Sequence, residues 1–298
     1  MSGVQHRTVE ASDAEQRLDR WFFKYFPKLP RGRLQKFLRT GQVRVDGKRV
    51  KAGLRLSIGQ EIRIPPILDV SAAPEERHRE ISESEAEFVQ SLVLHMDREI
   101  IVLNKPAGLA VQGCSAISRH LDGMLDALRF DLDERPRLIH RLDKDTSGVM
   151  VLARTAASAR KLGKAFVSRD IRKVYWAIMV GRPDREQGRI NLPLAKNFGK
   201  GRERVGVDED AGKKAITDFQ VLDRAGNRLN WVALWPRTGR THQLRAHCVA
   251  IGCPILGDGK YGGSAAFIEG LPASAKKLQL HAREIIIPQE GALEQRFV

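Results

Sequence analysis

Apolar and polar positions in the N-terminal part of the chain alternate with helical periods. Four side chains recur at i, i+3, i+4 and i+7, which places them on one face of a helix: Leu18, Trp21, Phe22 and Tyr25. A second helix is predicted from Arg31 to Thr40, since Pro30 precedes it and Gly41 follows it. The apolar stripe of this second helix consists of Leu34, Phe37 and Leu38.

A β-hairpin is predicted directly after these helices. The segment VRVDGKRV, residues 43–50, alternates apolar and polar residues around Asp46-Gly47, a dipeptide typical of tight hairpin turns. Ile58, Ile62 and Ile64 predict one more short strand. Residues 16–64 are therefore predicted to form a small α+β module.

The pattern changes after residue 64. Residues 65–87 begin with two prolines and continue with Ala, Ser and many acids without apolar periodicity, which predicts a linker. The remaining residues, 88–298, contain apolar runs typical of strands: Ile100–Leu103, Val149–Leu152, KVYWAIMVG and LNWVALWP. A helix is predicted from Ala156 to Phe166. This part is expected to be a mixed α+β domain.

One helix of this second part holds polar side chains at informative spacing. In RTGRTHQLRAHCVAIGCP, residues 237–254, Thr241 is predicted to cap a helix that ends at Gly252. The predicted apolar face consists of Leu244, Cys248 and Ile251. His242 and Arg245 are three residues apart, so both are expected to point from the same face into a cleft.

Composition narrows the class of protein. The chain has 298 residues, a net charge of +15, an apolar fraction of 42% and three cysteines. The length suits two domains, and no apolar run approaches the roughly 18 residues of a membrane span. The odd cysteine count disfavours a disulfide framework, and the N-terminal segment resembles no secretory signal, so we expect a cytoplasmic protein. The basic excess indicates nucleic acid or an anionic surface as partner.

Most of this charge lies in the first module. Between Arg17 and Arg63 there are 14 basic and three acidic residues, a net charge of +11. A solvated face that only keeps a small domain soluble is one interpretation. Clustering on one side favours RNA binding through phosphate contacts, which weakens steeply with salt. The candidate RNA-binding residues are Arg31, Arg33, Lys36, Arg39, Arg44, Lys48 and Arg49.

The segment LIHRLDKDTSG, residues 138–148, places an acid among bases. Asp143 follows Arg141 by two residues and precedes Lys144. A solvated turn is one explanation, because Asp145 to Gly148 are turn-forming residues. The other is a carboxylate that works, ionised, on an anionic polymer held by the cations.

Alternative chemistries lack their motifs. The spacing of His242, His247, Cys248 and Cys253 does not suit a zinc site, so we interpret the histidines as structural and expect no metal. The chain has no G-x-S-x-G elbow and no P-loop, and Gly199-Lys200-Gly201 is interpreted as a basic loop. A carboxylate, arginines and aromatic residues fit chemistry on a flipped RNA base.

HRLDKDTSG resembles the catalytic motif of the RluA-type RNA pseudouridine synthases. Further segments are similar to that family in the same order, over about residues 88–288: LNKPAGLAVQG, RDIRKVYWAIMVG, GKKAITDFQVL, RTGRTHQLRAH and LQLHA. The module over residues 16–64 resembles the S4 RNA-binding domain. The combination is nearest the RluC/RluD branch, which acts on large-subunit ribosomal RNA, with LNKPAGLAVQG closer to the RluC type.

The resemblance implies a fold and an activity. The fold would be an S4-like module followed by a synthase domain with a mixed, mainly antiparallel sheet flanked by helices. The activity would be isomerisation of uridine to pseudouridine in RNA, most notably 23S ribosomal RNA, without cofactor. We expect a monomer that binds no DNA and no membrane.

The resemblance also implies roles for five residues. Asp143 would be the catalytic carboxylate, as nucleophile or as base at the ribose. Arg245 would pair with Asp143 and keep it ionised, and Tyr175 would stack on the flipped uracil. Arg141 would enter the space that the base vacates, and Leu280 would close the apolar side of the pocket.

Two other functions and one departure stay open at this point. A non-catalytic ribosome-assembly factor on a synthase scaffold would share the RNA-binding features, and a DNA-binding regulator would share the charge. The ending IIPQEGALEQRFV is less similar to the family, whose members continue through a further strand and a Pro-containing tail. We therefore expect that strand to be missing or replaced.

Overall fold

The protein consists of two compact units. A computed structural model describes residues 3–27, 29–66, 81–113, 119–199, 202–288 and 294–298. The units are Met1–Glu80 and Ile81–Val298.

The first unit combines two helices with a four-stranded sheet. The helices are α1, Leu18–Tyr25, and α2, Arg31–Arg39. The strands β1 to β4 form a sheet in the order β1-β4-β2-β3 and span Gln5–Thr8, Arg44–Val45, Lys48–Arg49 and Glu61–Ile64. Because β1 pairs with β4, this unit extends further towards the N-terminus than the predicted span of 16–64.

The predicted helical faces form the core of the first unit. Leu18, Trp21 and Phe22 of α1 are buried, and they pack with the apolar stripe of α2. Tyr25 is only partly buried, and its hydroxyl donates to the carboxylate of the buried Asp13 at 2.7 Å. Both helix predictions are thus confirmed.

The predicted hairpin is also confirmed. Asp46 and Gly47 have positive φ angles of 49° and 73°, the conformation that a type I′ turn requires at both central positions. The prediction for Ile58 is wrong. This side chain is 65% exposed and precedes the strand, which begins at Glu61.

The predicted linker, residues 65–87, is helical at its end. Helix α3, Glu83–Ser91, begins where the Ser82 hydroxyl accepts a hydrogen bond from the Glu85 amide at 3.3 Å. The acidic residues that suggest a linker belong partly to this helix. Glu83 and Glu85 lie in its first turn, where the helix dipole favours negative charge. Residues 67–80 lie outside the described part of the chain.

A mixed, mainly antiparallel sheet dominates the second unit, as predicted. Its main path has the order β10-β13-β14-β9-β15-β8-β6-β5, with β7 on β8 and β16 on β15. The strands β5 to β10 are Val93–Met96, Ile100–Lys105, Arg137–Leu138, Ser147–Ala153, Arg172–Val180 and Gln187–Asn191. The strands β13 to β16 are Ile216–Ala225, Leu229–Pro236, Leu280–Ile287 and Gln295–Phe297. A separate hairpin consists of β11, Leu194–Gly199, and β12, Arg202–Val207.

Strand β15 joins the two halves of this sheet. It lies between β9, to which it is antiparallel, and β8, to which it is parallel. Among the described strands this is the only parallel pairing. The catalytic-type turn before β8 and the K-x-Y segment in β9 therefore meet through β15.

Helices cover both faces of the sheet. Helix α4, Ala156–Ser168, packs against one face of the sheet. On the other face, a 3₁₀ helix, Leu121–Leu128, forms part of the core, and α3 packs against this 3₁₀ helix. Helix α5, Gln243–Ala250, packs against strands β9 and β14. Within the described residues no helix is long and apolar enough to cross a membrane.

Of the two expectations about the C-terminal part, the missing strand is wrong and the replaced strand stays a prediction. Strand β16 pairs antiparallel with β15, with Phe297 opposite Ile285, so a further strand follows the LHA segment. Phe297 packs with the core beneath α4. Residues 289–293 lie outside the described part.

Candidate active site and RNA-binding surface

The turn before β8 is held in place by the side chain of Lys105. Lys105 is fully buried, and its ammonium group donates to the carbonyl oxygens of Pro106, Leu109 and Lys144 at 2.9, 2.9 and 3.1 Å. The Lys144 carbonyl also accepts from the Gly108 amide at 2.9 Å. These contacts tie the acidic turn to the end of β6.

Burial alternates along this turn. Leu142 is buried in the core, whereas Arg141 and Lys144 are exposed and Asp143 is half-buried. The cations can therefore contact a polymer in solvent while Asp143 lines a cleft. This arrangement favours the working carboxylate over the solvated turn.

All five residues for which the resemblance implied roles line this cleft: Arg141, Asp143, Tyr175, Arg245 and Leu280. They come from the turn before β8, from β9, from α5 and from β15. The fold thus brings together segments that are far apart in sequence.

Arg245 has a closer partner than Asp143. Its Nε and Nη2 donate to the carboxylate of Asp258 at 2.8 and 2.6 Å, and both side chains are buried. Its third nitrogen, Nη1, lies 4.0 Å from Oδ2 of Asp143. The predicted pair across the cleft exists as this longer contact.

Tyr175 lies where two parts of the core meet. It packs against the cluster of the 3₁₀ helix and against the cluster beneath α5. Burial, and secondarily the charge of Asp143, raise the pKa of its phenol far above the ordinary value. The hydroxyl therefore stays protonated beside the carboxylate. Leu280, opposite Ala177 in the sheet, is buried at the apolar wall of the cleft.

In the first unit, the predicted basic residues lie on α2 and the β2–β3 hairpin. All are exposed except Arg33, which is half-buried with its guanidinium 5.6 Å from the Phe37 ring centroid. Within the described part of the chain, none forms a salt bridge with a carboxylate. The positive charge of this surface is thus available to phosphates.

Comparisons with known proteins identify the family. The sequence model described as RNA pseudouridylate synthase matches residues 99–250, and the S4 domain model matches residues 16–62. The ribosomal large subunit pseudouridine synthase C of Rickettsia typhi is 36% identical, over 92% of this chain and 89% of its own length. The chain belongs to the RNA pseudouridine synthase family.

Other family members show the same similarity. The mitochondrial RNA pseudouridine synthase 4 of Arabidopsis thaliana is 39% identical over 83% of this chain, which spans 60% of that relative's length. The solved structure of human RNA pseudouridylate synthase domain containing 4 superposes with a TM-score of 0.58. It is 32% identical and covers 71% of this chain and 88% of its own.

Helix α5 of the synthase starts differently from the prediction. The helix begins at Gln243, and the residue before it, His242, has a left-handed conformation with φ 50° and ψ 25°. Thr241 is therefore not the N-cap. Instead, the buried Gln243 anchors the helix start: its amide donates to the Ile216 carbonyl at 2.9 Å and its oxygen accepts from the Thr238 hydroxyl at 2.6 Å.

The two histidines of this segment have different surroundings. His247 is fully buried, between the Thr217 hydroxyl at 2.9 Å and the Leu192 carbonyl at 3.0 Å, so its structural interpretation is confirmed. For His242 that interpretation stays a prediction, and its Nε2 lies 3.6 Å from Oδ1 of Asp143 in the cleft. Cys248 and Cys253 are buried free thiols, and Cys114 lies outside the described residues.

Sequence reasoning missed two polar residues that contact Arg245 and His242 from behind the cleft. Asp258 and Tyr261 come from the loop GDGKYGG after α5, and Tyr261 contacts both His242 and Arg245. The sequence signal for these residues is weak: Asp258 and Tyr261 are two polar side chains at i and i+3 in a glycine-rich segment. Without a predicted element, that spacing did not indicate which way they point.

Proposed function

We propose that this synthase isomerises uridine to pseudouridine in RNA, with large-subunit ribosomal RNA as the substrate. The observation that most supports this proposal is that Asp143, Tyr175 and Arg245 line the same cleft. The names of the Rickettsia and Arabidopsis relatives support the reaction, and the Rickettsia name supports the substrate.

The proposed reaction needs no external redox partner. The bond between C1′ and N1 breaks, a bond between C1′ and C5 forms, and the C5 proton is replaced by a proton at N1, so the product is an isomer. The uridine must first leave the helix stack, which costs a few kcal/mol. Asp143 then acts at the ribose, as nucleophile or as base, with Arg245 and His242 beside its carboxylate.

The cleft walls have separate roles in this proposal. Tyr175 stacks on the flipped uracil, and its hydroxyl relays the C5 proton, passing on its own proton as it takes up that one. Leu280 supplies the apolar contact on the side of the pocket. Arg141, exposed at the rim, enters the space that the base leaves.

The first unit supplies affinity rather than chemistry. Its unpaired basic surface on α2 and the hairpin binds RNA phosphates, while the second unit carries out catalysis. The proposal takes the protein as a cytoplasmic monomer. Light scattering of the purified chain, free and with RNA, tests the monomer.

The deciding experiment compares the wild type with two carboxylate variants on unmodified 23S ribosomal RNA. Nucleosides are separated by chromatography after digestion, because uridine and pseudouridine have the same mass. We expect product with the wild type and with Asp145→Asn, a control in the same turn, and none with Asp143→Asn. Tight RNA binding without product from the wild type would favour the non-catalytic assembly factor. Product from Asp143→Asn would place the chemistry on another residue.

A further inference from the structure

His242 has a backbone conformation that its residue type disfavours. A non-glycine residue in the left-handed region is strained and persists there only where its surroundings hold it. No side-chain capping bond accounts for it. Besides the neighbouring Gln243, whose side chain anchors the helix start, the imidazole of His242 makes contacts that hold this residue.

One side of the imidazole is fixed by Tyr261. The Tyr261 hydroxyl lies 2.6 Å from His242 Nδ1, and the two rings meet edge to face with centroids 5.4 Å apart. The same hydroxyl oxygen accepts the backbone amide of Val205 at 3.2 Å. Among the described residues the phenol proton has no acceptor other than Nδ1, so the phenol donates to Nδ1 and Nε2 holds the hydrogen of the neutral ring.

The surroundings keep this ring neutral. Burial lowers the pKa of His242, and Arg245, Lys260 and Arg141 lower it further, while Asp143 alone raises it. Burial likewise raises the pKa of the Tyr261 phenol, which stays protonated. The pair is therefore an uncharged donor chain rather than an ion pair.

The other side of the imidazole faces the catalytic carboxylate. Nε2 lies 3.6 Å from Oδ1 of Asp143, while Arg245 Nη1 lies 4.0 Å from Oδ2. Each carboxylate oxygen thus has a nitrogen of one of these two side chains near it. Such contacts are often long in the free enzyme and shorten when substrate is bound.

We propose that His242 is a positioning residue, locked by Tyr261 in the Nε2–H tautomer so that it donates to Asp143 and fixes the plane of the carboxylate. This inference rests on the proposed function of Asp143. A residue that only stabilises the fold would not need to donate a hydrogen bond to Asp143. Tyr261 then acts on the reaction only through His242.

The tautomer is measured first, on the free protein. Long-range ¹H–¹⁵N correlation spectra distinguish the two neutral forms of histidine, and His242→Gln assigns the signal. We expect the Nε2–H form in the wild type and a mixture of tautomers in Tyr261→Phe, which keeps the ring over Arg245 but loses the hydroxyl. A wild-type ring with hydrogen on Nδ1 would overturn the inference.

Two amide variants then separate positioning from anchoring. The longer side chain of His242→Gln places an NH₂ donor where Nε2 lies, whereas His242→Asn places its amide where Nδ1 meets Tyr261. A hydrogen bond to a charged group is stronger than one between neutral groups. We therefore expect kcat of the Gln variant to exceed that of the Asn variant by about tenfold, with equal Kd for RNA. Equal kcat values, or a better Asn variant, would mean that His242 only anchors the backbone.

The outcomes also separate this inference from the proposed function. No pseudouridine from the wild type, despite the Nε2–H tautomer, would contradict the proposed function. An active wild type without the Nε2–H tautomer would contradict the role of His242 alone. If either amide variant melts at a lower temperature than the wild type, the wild-type and Tyr261→Phe spectra still decide the tautomer.

Discussion

Asp258 binds Arg245 through two hydrogen bonds of 2.8 and 2.6 Å, so the cation nearest to Asp143 is already neutralised by another buried carboxylate. The guanidinium is therefore fixed before any substrate enters. Its remaining nitrogen faces Asp143 without depending on it. Stability and chemistry are thus assigned to different acids.

Replacing these two acids is expected to give opposite results. Asp258→Asn leaves a buried guanidinium without its counter-charge, which costs about 3–5 kcal/mol of unfolding free energy. Asp143→Asn changes a half-buried group that lies 4.0 Å from the cation, so it should abolish turnover and leave stability within about 0.5 kcal/mol. Urea denaturation of both variants checks this, and equal losses would contradict it.

Tyr175→Phe should remove turnover while RNA binding survives. The substitution keeps the ring that packs between the two core clusters and removes only the hydroxyl. If that hydroxyl handles the C5 proton, kcat falls by about 10²–10⁴-fold. Single-turnover assays and filter binding measure the two effects. Parallel losses of binding and turnover would indicate a folding role instead.

Gly148 and Gly163 offer a matched pair of Gly→Ala changes. At Gly148, φ is 108° and an added Cβ would lie 2.2 Å from the Ala282 carbonyl in the parallel strand. We expect Gly148→Ala to cost about 2 kcal/mol or more and to reduce activity. Gly163 lies inside α4 with open space around it, so Gly163→Ala should stabilise by about 0.5–1 kcal/mol. Thermal melts of both variants test the difference.

Lys105 gives the fold a pH dependence. Burial lowers its pKa to about 8 from the ordinary 10.5, so between these values the unfolded chain binds more protons than the folded chain. The stability of the wild type relative to Lys105→Met should therefore rise as pH increases through this window, and stay constant below it. Unfolding free energies of both proteins at several pH values measure the gap. A wild-type stability that falls relative to Lys105→Met as pH rises would refute the assignment.

The basic surface of the first unit should control the salt dependence of RNA binding. Lys36→Glu with Arg39→Glu should weaken binding and reduce the slope of log K against log salt by about one for each lost phosphate contact. Arg20→Glu on α1, also exposed, is the charge-matched control for Lys36→Glu alone, since each changes the net charge by −2. An unchanged slope in the double variant would remove this surface from RNA binding.

The sequence predicted those parts whose signal is local or motif-like. Helices α1 and α2, the Asp46-Gly47 hairpin and the cleft residues Asp143 and Tyr175 all follow from periodicity, turn chemistry or family motifs. Contacts between distant segments were not predictable in this way. Nothing local indicates that Arg245 binds Asp258 or that Tyr261 meets His242, because both contacts depend on how one loop folds back.

The same limit explains two boundary errors. Thr241 has the chemistry of an N-cap, yet the helix begins after His242, whose left-handed backbone is stabilised by tertiary contacts rather than by capping. At the other end of the domain, Gln295–Phe297 is too short and polar to predict a strand. This segment forms a strand because it pairs with β15 and Phe297 packs against the core beneath α4.

The central place of β15 has a consequence for the order in which the protein is made. Strand β15 separates β8 from β9, so an unfinished chain that has not yet reached Leu280 contains Asp143, Tyr175 and Arg245 but cannot hold them together. Pairings of such long sequence separation also form late in folding. We therefore expect a nascent chain of this synthase to be inactive until β15 has been made.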